Sequence, residues 1–245
     1  MEPYVAIIAV IVMAAAAVVH GTVGLGFAIV AVPVLSLVHP DLTPAPQLIA
    51  GLPLTLGMAW RERHDMDLHG VWWIILGRLP GAALGIYLLT VATRDTLNLL
   101  IAGFVLAAVA IIATGAHVRR NPTTEFFVGW AAGTSGMVAS IGGPPVALLY
   151  TSEEAATIRS TLAAIFSIGL TMTLGFRAAS GNLTATDLQI GLWVIPAVLI
   201  GWAISLRIKD RVPREAVRTS ILALSTLAAV SLVITTLLGC CLLYT

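Results

Sequence analysis

Two apolar runs in this chain are broken in the middle by residues that no straight helix tolerates. The first break is Gly21-Thr22-Val23-Gly24-Leu25-Gly26 and the second is Ile141-Gly142-Gly143-Pro144-Pro145. Glycine loses the most backbone entropy in a helix, and proline lacks the N–H that a helix interior needs. Inside a bilayer, irregular backbone survives only where protein buries it or where it lines a wet cavity. The freed N–H groups that start a half-helix carry partial positive charge and can hold an anion. The two breaks therefore read as facing halves of one anion site.

That argument needs a bilayer, and composition supplies it. Of 245 residues, 58% are hydrophobic and only 10% are charged, against about 25% charged in soluble domains. The expected fold class is all-α, a polytopic integral membrane protein. A net charge of +1, with no basic cluster interleaved with aromatics, offers no nucleic-acid surface. Cys240 and Cys241 form neither a CxxC pair nor a zinc spacing, and read as small apolar residues near a helix end. Met1 to His20 lacks the basic segment of a cleaved signal peptide.

Taken in order, Tyr4 to Val19 and Phe27 to Val38 are apolar arms flanking the first break. Each is shorter than the ~20 residues of a full crossing, so together they suit a hairpin that dips in and returns. Gln47 to Trp60, His69 to Val91 and Leu97 to Gly115 follow as spans. In the second half, Glu125 to Tyr150 is again broken, and Thr161 to Phe176, Leu188 to Leu206 and Thr219 to Leu238 are spans. The expected division is a repeat over 1–116 broken at 20–26, a cytoplasmic linker over 117–124, and a repeat over 125–245 broken at 141–145. A shift of 116 residues sets Gly26 on Gly142, Arg61 on Arg177, Pro80 on Pro196 and Gly85 on Gly201, as a duplication would.

Loop charge orients the halves, because Lys and Arg favour the cytoplasmic side. If each broken segment is a hairpin, the halves are inverted. The cytoplasmic loops then collect Arg61, Arg63, Arg119, Arg120, Arg159, Arg207, Lys209, Arg211, Arg214 and Arg218, and only Arg94 and Arg177 lie outside, ten against two. If each broken segment crosses once, the halves are parallel and the division is seven against five. The inverted arrangement fits the rule better. It brings the broken tips together near the midplane, a recurring transporter plan, and leaves both termini on the non-cytoplasmic side.

With these residues in view, the chain resembles the TauE/SafE sulfite exporter family of membrane permeases. The similarity lies in Gly21 to Gly26 followed by Pro33-Val34-Leu35, and in Gly133-Thr134-Ser135-Gly136 followed by Ile141 to Pro145 and Leu148-Leu149-Tyr150. It extends to Met66-Asp67-Leu68 with Pro80 to Gly85, and to Thr186-Asp187-Leu188 with Pro196 and Gly201. One departure is Gly24-Leu25-Gly26-Phe27, where the family usually has consecutive glycines; a bulky Phe27 narrows the site or changes the ligand. The resemblance implies ion-coupled movement of sulfite, sulfonates or related small anions, without naming one.

Charge inside the membrane singles out the remaining candidates. No Asp or Glu falls in the middle of a span, where a carboxylate proton relay or a cation site would want one. Arg78 is nine residues into its span, about 13 Å deep at 1.5 Å per residue. It reads either as a fixed charge for an anion or as a side chain snorkelling to the interface. Gly24, Gly26, Gly142, Gly143, Pro144 and Pro145 read as anion-site backbone, against the alternative of close helix packing. Thr134, Ser135 and Ser140 offer hydroxyls that could equally bond their own helix. His20 abuts the first break and is the candidate for a coupling proton. Gln47 reads as an interfacial cap, Arg61 and Arg177 as interface anchors, and Tyr150 as an interface residue.

The sequence thus points to a secondary transporter of a small anion, moved by alternating access from a site between the broken tips. A passive anion channel on the same scaffold and a non-transporting membrane subunit remain open. No nucleophile–base pair, HExxH or P-loop appears, so no enzyme, cofactor or metal site is expected. The partners are the anion, a coupling proton or other ion, and the lipid of the cell's inner membrane. The glycine-rich faces permit a homodimer.

Overall fold

A computed structural model describes residues 3–39, 42–114, 118–150 and 153–208, together with several positions between 223 and 237. Cys240, Cys241, the loop residues Lys209, Arg211, Arg214 and Arg218, and part of the last expected span lie outside the described residues. The described elements are helical: α1 (Pro3–Val23), α2 (Phe27–Val38), α3 (Ala45–Arg61), α4 (Val71–Val91), α5 (Arg94–Thr114), α6 (Pro122–Ala139), α7 (Gly143–Ala147), α8 (Ala155–Ala179) and α9 (Ala185–Ile208), with one 3-10 turn at Arg63–Asp65. Among them α1, α4, α5, α8 and α9 are long and apolar enough to cross a membrane. Their faces are ordered as lipid demands. On α4 the buried set is Val71 and Ile74 near its start and then Gly77, Arg78, Gly81, Ala82 and Gly85, while Trp72, Trp73, Leu79, Tyr87 and Val91 are exposed. Small residues turn inward and large apolar ones turn outward, because lipid tails solvate the latter as well as protein does.

The breaks are narrower than the sequence suggested. Helix α1 runs on through His20-Gly21-Thr22-Val23, so its 21 residues suffice to cross a bilayer alone. A single glycine is tolerated in a helix at roughly 1 kcal/mol, and Gly21 is needed there, since a Cβ would stand 2.0 Å from Ser205 Oγ. The chain leaves helical geometry only over Gly24-Leu25-Gly26, with φ of 90° and 117° at the two glycines. In the second half the break is Ser140-Ile141-Gly142, and Ser140 itself takes φ 60°. Pro144 and Pro145 do not break α7; they sit in its first turn, where a missing N–H removes no helix bond.

Backbone-to-backbone contacts set the packing. Helix α4 lies along α6, and α9 lies along α1. A Cβ at Gly77 would come within 2.0 Å of the Phe126 carbonyl oxygen, one at Gly81 within 2.2 Å of that of Trp130, and one at Gly129 within 2.1 Å of that of Ile74. Across the other pair, a Cβ at Gly201 would meet the Ala14 carbonyl oxygen at 2.2 Å. Shifted by 116, Val71–Val91 becomes 187–207, within α9, and Ala45–Arg61 becomes 161–177, within α8. Helix α4 therefore packs on α6 and its shifted counterpart α9 on α1, while α3 meets its own counterpart α8.

The second broken segment returns to where it started. Asn121 caps α6 by accepting the Thr124 N–H at 3.0 Å, Thr124 Oγ1 accepts the Asn121 N–H at 3.1 Å, and Pro122 opens the helix. Just before this cap, the Val118 N–H donates to the Leu148 carbonyl at 3.2 Å. The two ends of the α6–α7 segment are thus hydrogen-bonded to one another.

Candidate functional site

The two breaks meet at one cavity of about 70 Å³, where a single water needs roughly 10–15 Å³. That is room for a handful of waters or one small anion. Its walls are His20 of α1, Gly26 to Ile29, Gln47, Gly51 and Thr55 of α3, Arg78 of α4, Gly136 of α6, Ser140 to Pro144, and Phe166, Leu170 and Thr173 of α8.

Arg78 is 4% exposed, so it does not snorkel. Three missing side chains make its place. A Cβ at Gly169 would stand 2.4 Å from the guanidinium carbon, and Cβ atoms at Gly142 and Gly136 would stand 3.3 and 3.4 Å from Nη2. Nη1 is buried with no hydrogen-bond partner, and no carboxylate lines the cavity.

His20 and Gln47 bring further unpartnered groups to the same walls. The His20 Nδ1 accepts the Phe27 N–H at 3.4 Å, which leaves Nε2 as the protonated nitrogen of the neutral ring. Nε2 is buried without a partner. Phe27 meets the imidazole edge-on and Phe166 lies tilted against it, with ring centroids 6.4 and 5.9 Å away. Gln47 is 1% exposed, and neither its amide nitrogen nor its oxygen has a partner. It sits in the first turn of α3, buried inside the protein where an interfacial cap would be exposed. An unpaired amide inside an apolar run was the signal that could have marked it.

The other candidate residues divide. Gly26, Ser140, Gly142, Gly143 and Pro144 line the cavity; Gly24, Thr134, Ser135 and Pro145 do not. Gly24 packs on the backbone of Arg159, whose Cα would lie 3.0 Å from a Cβ there. The Thr134 hydroxyl donates to the Gly81 and Trp130 carbonyls, both at 3.1 Å, and the Ser135 hydroxyl donates to that of Ala131 at 2.8 Å. Both protons are committed to helix backbone. The Ser140 hydroxyl donates to the Pro44 carbonyl at 2.9 Å. Helix α7 has five residues, two of them prolines without an N–H, so the second break contributes space and shape more than donors. Phe27 narrows the site from the α2 side.

Arg177 and Arg61 part company as well. Arg61 is exposed. Arg177 is 4% exposed, and it donates to the Met137 carbonyl in the last turn of α6 and to the Asn182 carbonyl. A cation there satisfies the carbonyls and the negative end of the helix dipole.

A second charged group lies away from the cavity. Arg120 bonds Asp67 Oδ2 at 2.5 Å and the His69 carbonyl, approaches Glu125 Oε1 at 3.5 Å, and stacks over the Tyr150 ring at 4.5 Å. It ties the linker to the α3–α4 loop and to the return arm after α7. Burial works against charge on Asp67, but the Arg120 hydrogen bond outweighs it and holds the carboxyl below its ordinary 3.8. A lowered carboxylate pKa contributes stability above the unfolded value and loses it as pH falls through the folded one. Thermal stability is therefore expected to be insensitive to this pair from neutral pH down to 3.8 and to fall only below that. Asp67→Asn should be less stable by roughly 0.2–1 kcal/mol at neutral pH and should lack that part of the acid limb. An acid limb identical in wild type and variant would assign it to other groups.

Among the described residues the fold is helical, five helices are fit to cross a bilayer, and the cavity they surround holds a buried arginine and no carboxylate. A family model described as "Sulfite exporter TauE/SafE" matches residues 8–232. The chain belongs to that family. It is accordingly a multi-pass membrane transporter in the sulfite and sulfur-anion exporter class, and not an enzyme. No curated protein and no solved structure matches it.

Proposed function

We propose that this chain is a secondary transporter of sulfite or a small organosulfonate. The anion binds in the cavity between the two broken segments and is exposed to each side in turn as the halves rock. The observation that carries this reading is Arg78: a guanidinium with an unpartnered Nη1, buried in a glycine cradle beside the unpartnered His20 Nε2 and Gln47 amide. A buried charge of this kind is held at an energetic penalty unless something pairs with it, and an anionic substrate is what the cavity can admit.

Two further observations support inverted halves working as a pair. The hydrogen bond from Val118 to Leu148 is what a returning hairpin would have, and the packing of α4 on α6 and of α9 on α1 is what two halves working against each other would use. The chain's place is the inner membrane, the location expected of a permease of this family. The coupling ion is a proton.

The test is ligand-induced thermal stabilisation of the purified protein, screened over sulfite, sulfate, thiosulfate, taurine and small carboxylates. Binding to the folded state raises apparent stability by mass action, by about 2.7 kcal/mol at a hundredfold excess over Kd. Stabilisation confined to sulfur anions is expected. A flat response to every anion would sink the proposal. Flux into proteoliposomes that ignores any ion gradient would replace the transporter with a passive channel.

A further inference from the structure

The hydrogen-bonding character of the cavity wall is not uniform, and the division bears on which protonation state of the anion it takes. Arg78 and His20 present donors: Nη1 of the guanidinium and the Nε2–H of the imidazole. Elsewhere on the wall the threonine hydroxyls have already committed their protons. Thr55 donates to the Leu52 carbonyl at 3.1 Å and Thr173 to the Gly169 carbonyl at 2.8 Å. What each has left is lone pairs. Gln47 carries an amide nitrogen with two N–H donors and a carbonyl oxygen that accepts, both atoms unpartnered. A single formal charge, that of Arg78, lines the whole cavity.

A fully deprotonated sulfur dianion is acceptor-only. It would leave one negative charge uncompensated in a desolvated site, and would turn lone pairs toward the acceptors of Gln47, Thr55 and Thr173. A monoanion that keeps one O–H or N–H meets both requirements. Its charge pairs with Arg78, its bare oxygens accept from Arg78 and His20, and its own proton goes to the acceptor wall. We infer that the cavity selects the hydrogen-bearing monoanion (hydrogensulfite, or a hydroxy-sulfonate) over the dianion. Resting on the sulfur-anion reading above, the inference also says where a coupled proton travels. It rides on the substrate, as one hydrogensulfite taken up on one side and released as sulfite plus a proton on the other. No protein carboxylate is then needed at the cavity, and none lines it.

The experiment is calorimetric binding to the intact purified protein with four probes: sulfite, sulfate, methanesulfonate and 2-hydroxyethanesulfonate, over a pH range spanning the ionisation of hydrogensulfite. The apparent Kd for sulfite is expected to rise about tenfold per pH unit above that ionisation, staying constant when expressed per hydrogensulfite. The two sulfonates, which do not titrate in this range, serve as controls for the protein's own titration and should bind independently of pH. The hydroxylated sulfonate should bind more tightly than methanesulfonate, by several-fold, and sulfate not at all. Sulfite affinity that is flat or that strengthens with rising pH, or sulfate binding as well as sulfite, would overturn the inference while leaving the sulfur-anion site standing. Failure of every probe at every pH would remove both. Gln47→Leu, where it folds, should erase the preference between the two sulfonates; an undiminished preference would count against the acceptor wall.

Discussion

Arg78→Gln is expected to weaken sulfite binding about ten- to a hundredfold while leaving the unliganded protein as stable as wild type, or more so. The two halves of that expectation have one cause. A hydrogen bond to a charged group contributes about 1.5–3 kcal/mol, and each 1.4 kcal/mol is about tenfold in affinity. The same guanidinium in the unliganded protein is buried, with no ion pair and with Nη1 unpartnered. Replacing a buried, uncompensated charge by a neutral group of similar reach relieves a desolvation penalty. A structural arginine would behave in the opposite way, as Arg177 should, because its bonds to Met137 and Asn182 hold the end of α6. Gly169→Ala tests the same point from the other side. Its methyl would stand 2.4 Å from the Arg78 guanidinium carbon, so the arginine has to move. Gly169→Ala should lose affinity like Arg78→Gln, and the double variant should lose little more than either alone, since residues acting through one contact are not additive. Equal and independent losses from the two would show that Gly169 acts on something other than Arg78. The readouts are Kd by calorimetry and the unliganded thermal midpoint.

Gly81→Leu is expected to lower the thermal midpoint by roughly 6–12 °C, with Gly103→Leu as its silent control. Gly81 lies at the middle of the α4–α6 contact, where a Cβ would already stand 2.2 Å from the Trp130 carbonyl oxygen and 3.1 Å from the Thr134 nitrogen. Backbone cannot swing aside as a side chain can, so the helices must part along the stripe that includes Gly77, Gly129 and Gly133. Overpacking a well-fitted core costs typically about 1–3 kcal/mol. Separation of two backbones removes many dispersion contacts besides, so the expected loss is about 3 kcal/mol or more. In a chain of this size that is roughly 6–12 °C in thermal midpoint, enough to lose the monodisperse species on purification. Gly103, on α5, has nothing within 4 Å of a built Cβ, so a leucine there meets only lipid. A stable Gly81→Leu protein with unaltered anion binding would mean that α4 and α6 are not in backbone contact.

The membrane class, the helical content and the positions of the two breaks were readable from the chain alone. These properties follow from local chemistry: apolar runs of bilayer length, and glycines that interrupt them, whereas Pro144 and Pro145 open a helix and do not break one. The lone mid-span arginine was readable too, because a charge in an apolar run stands out whatever surrounds it. What the sequence could not decide was partnership. Thr134 and Ser135 carry the same hydroxyl whether it faces an anion or the preceding turn of α6, and only the packed helices commit it to backbone carbonyls. Gln47 looked like a cap because a polar residue near the start of a helix usually meets water. Tertiary structure starts α3 inside the protein instead and leaves both amide atoms unpaired on the cavity wall. Gly169 carried no signal among the 22 glycines, and Gly136 only that of a family motif, until α8 and α6 were brought around Arg78. Sequence determines which groups exist and what solvent the chain must live in. The fold determines which of those groups are left without a partner, because that depends on distances between helices far apart in the chain.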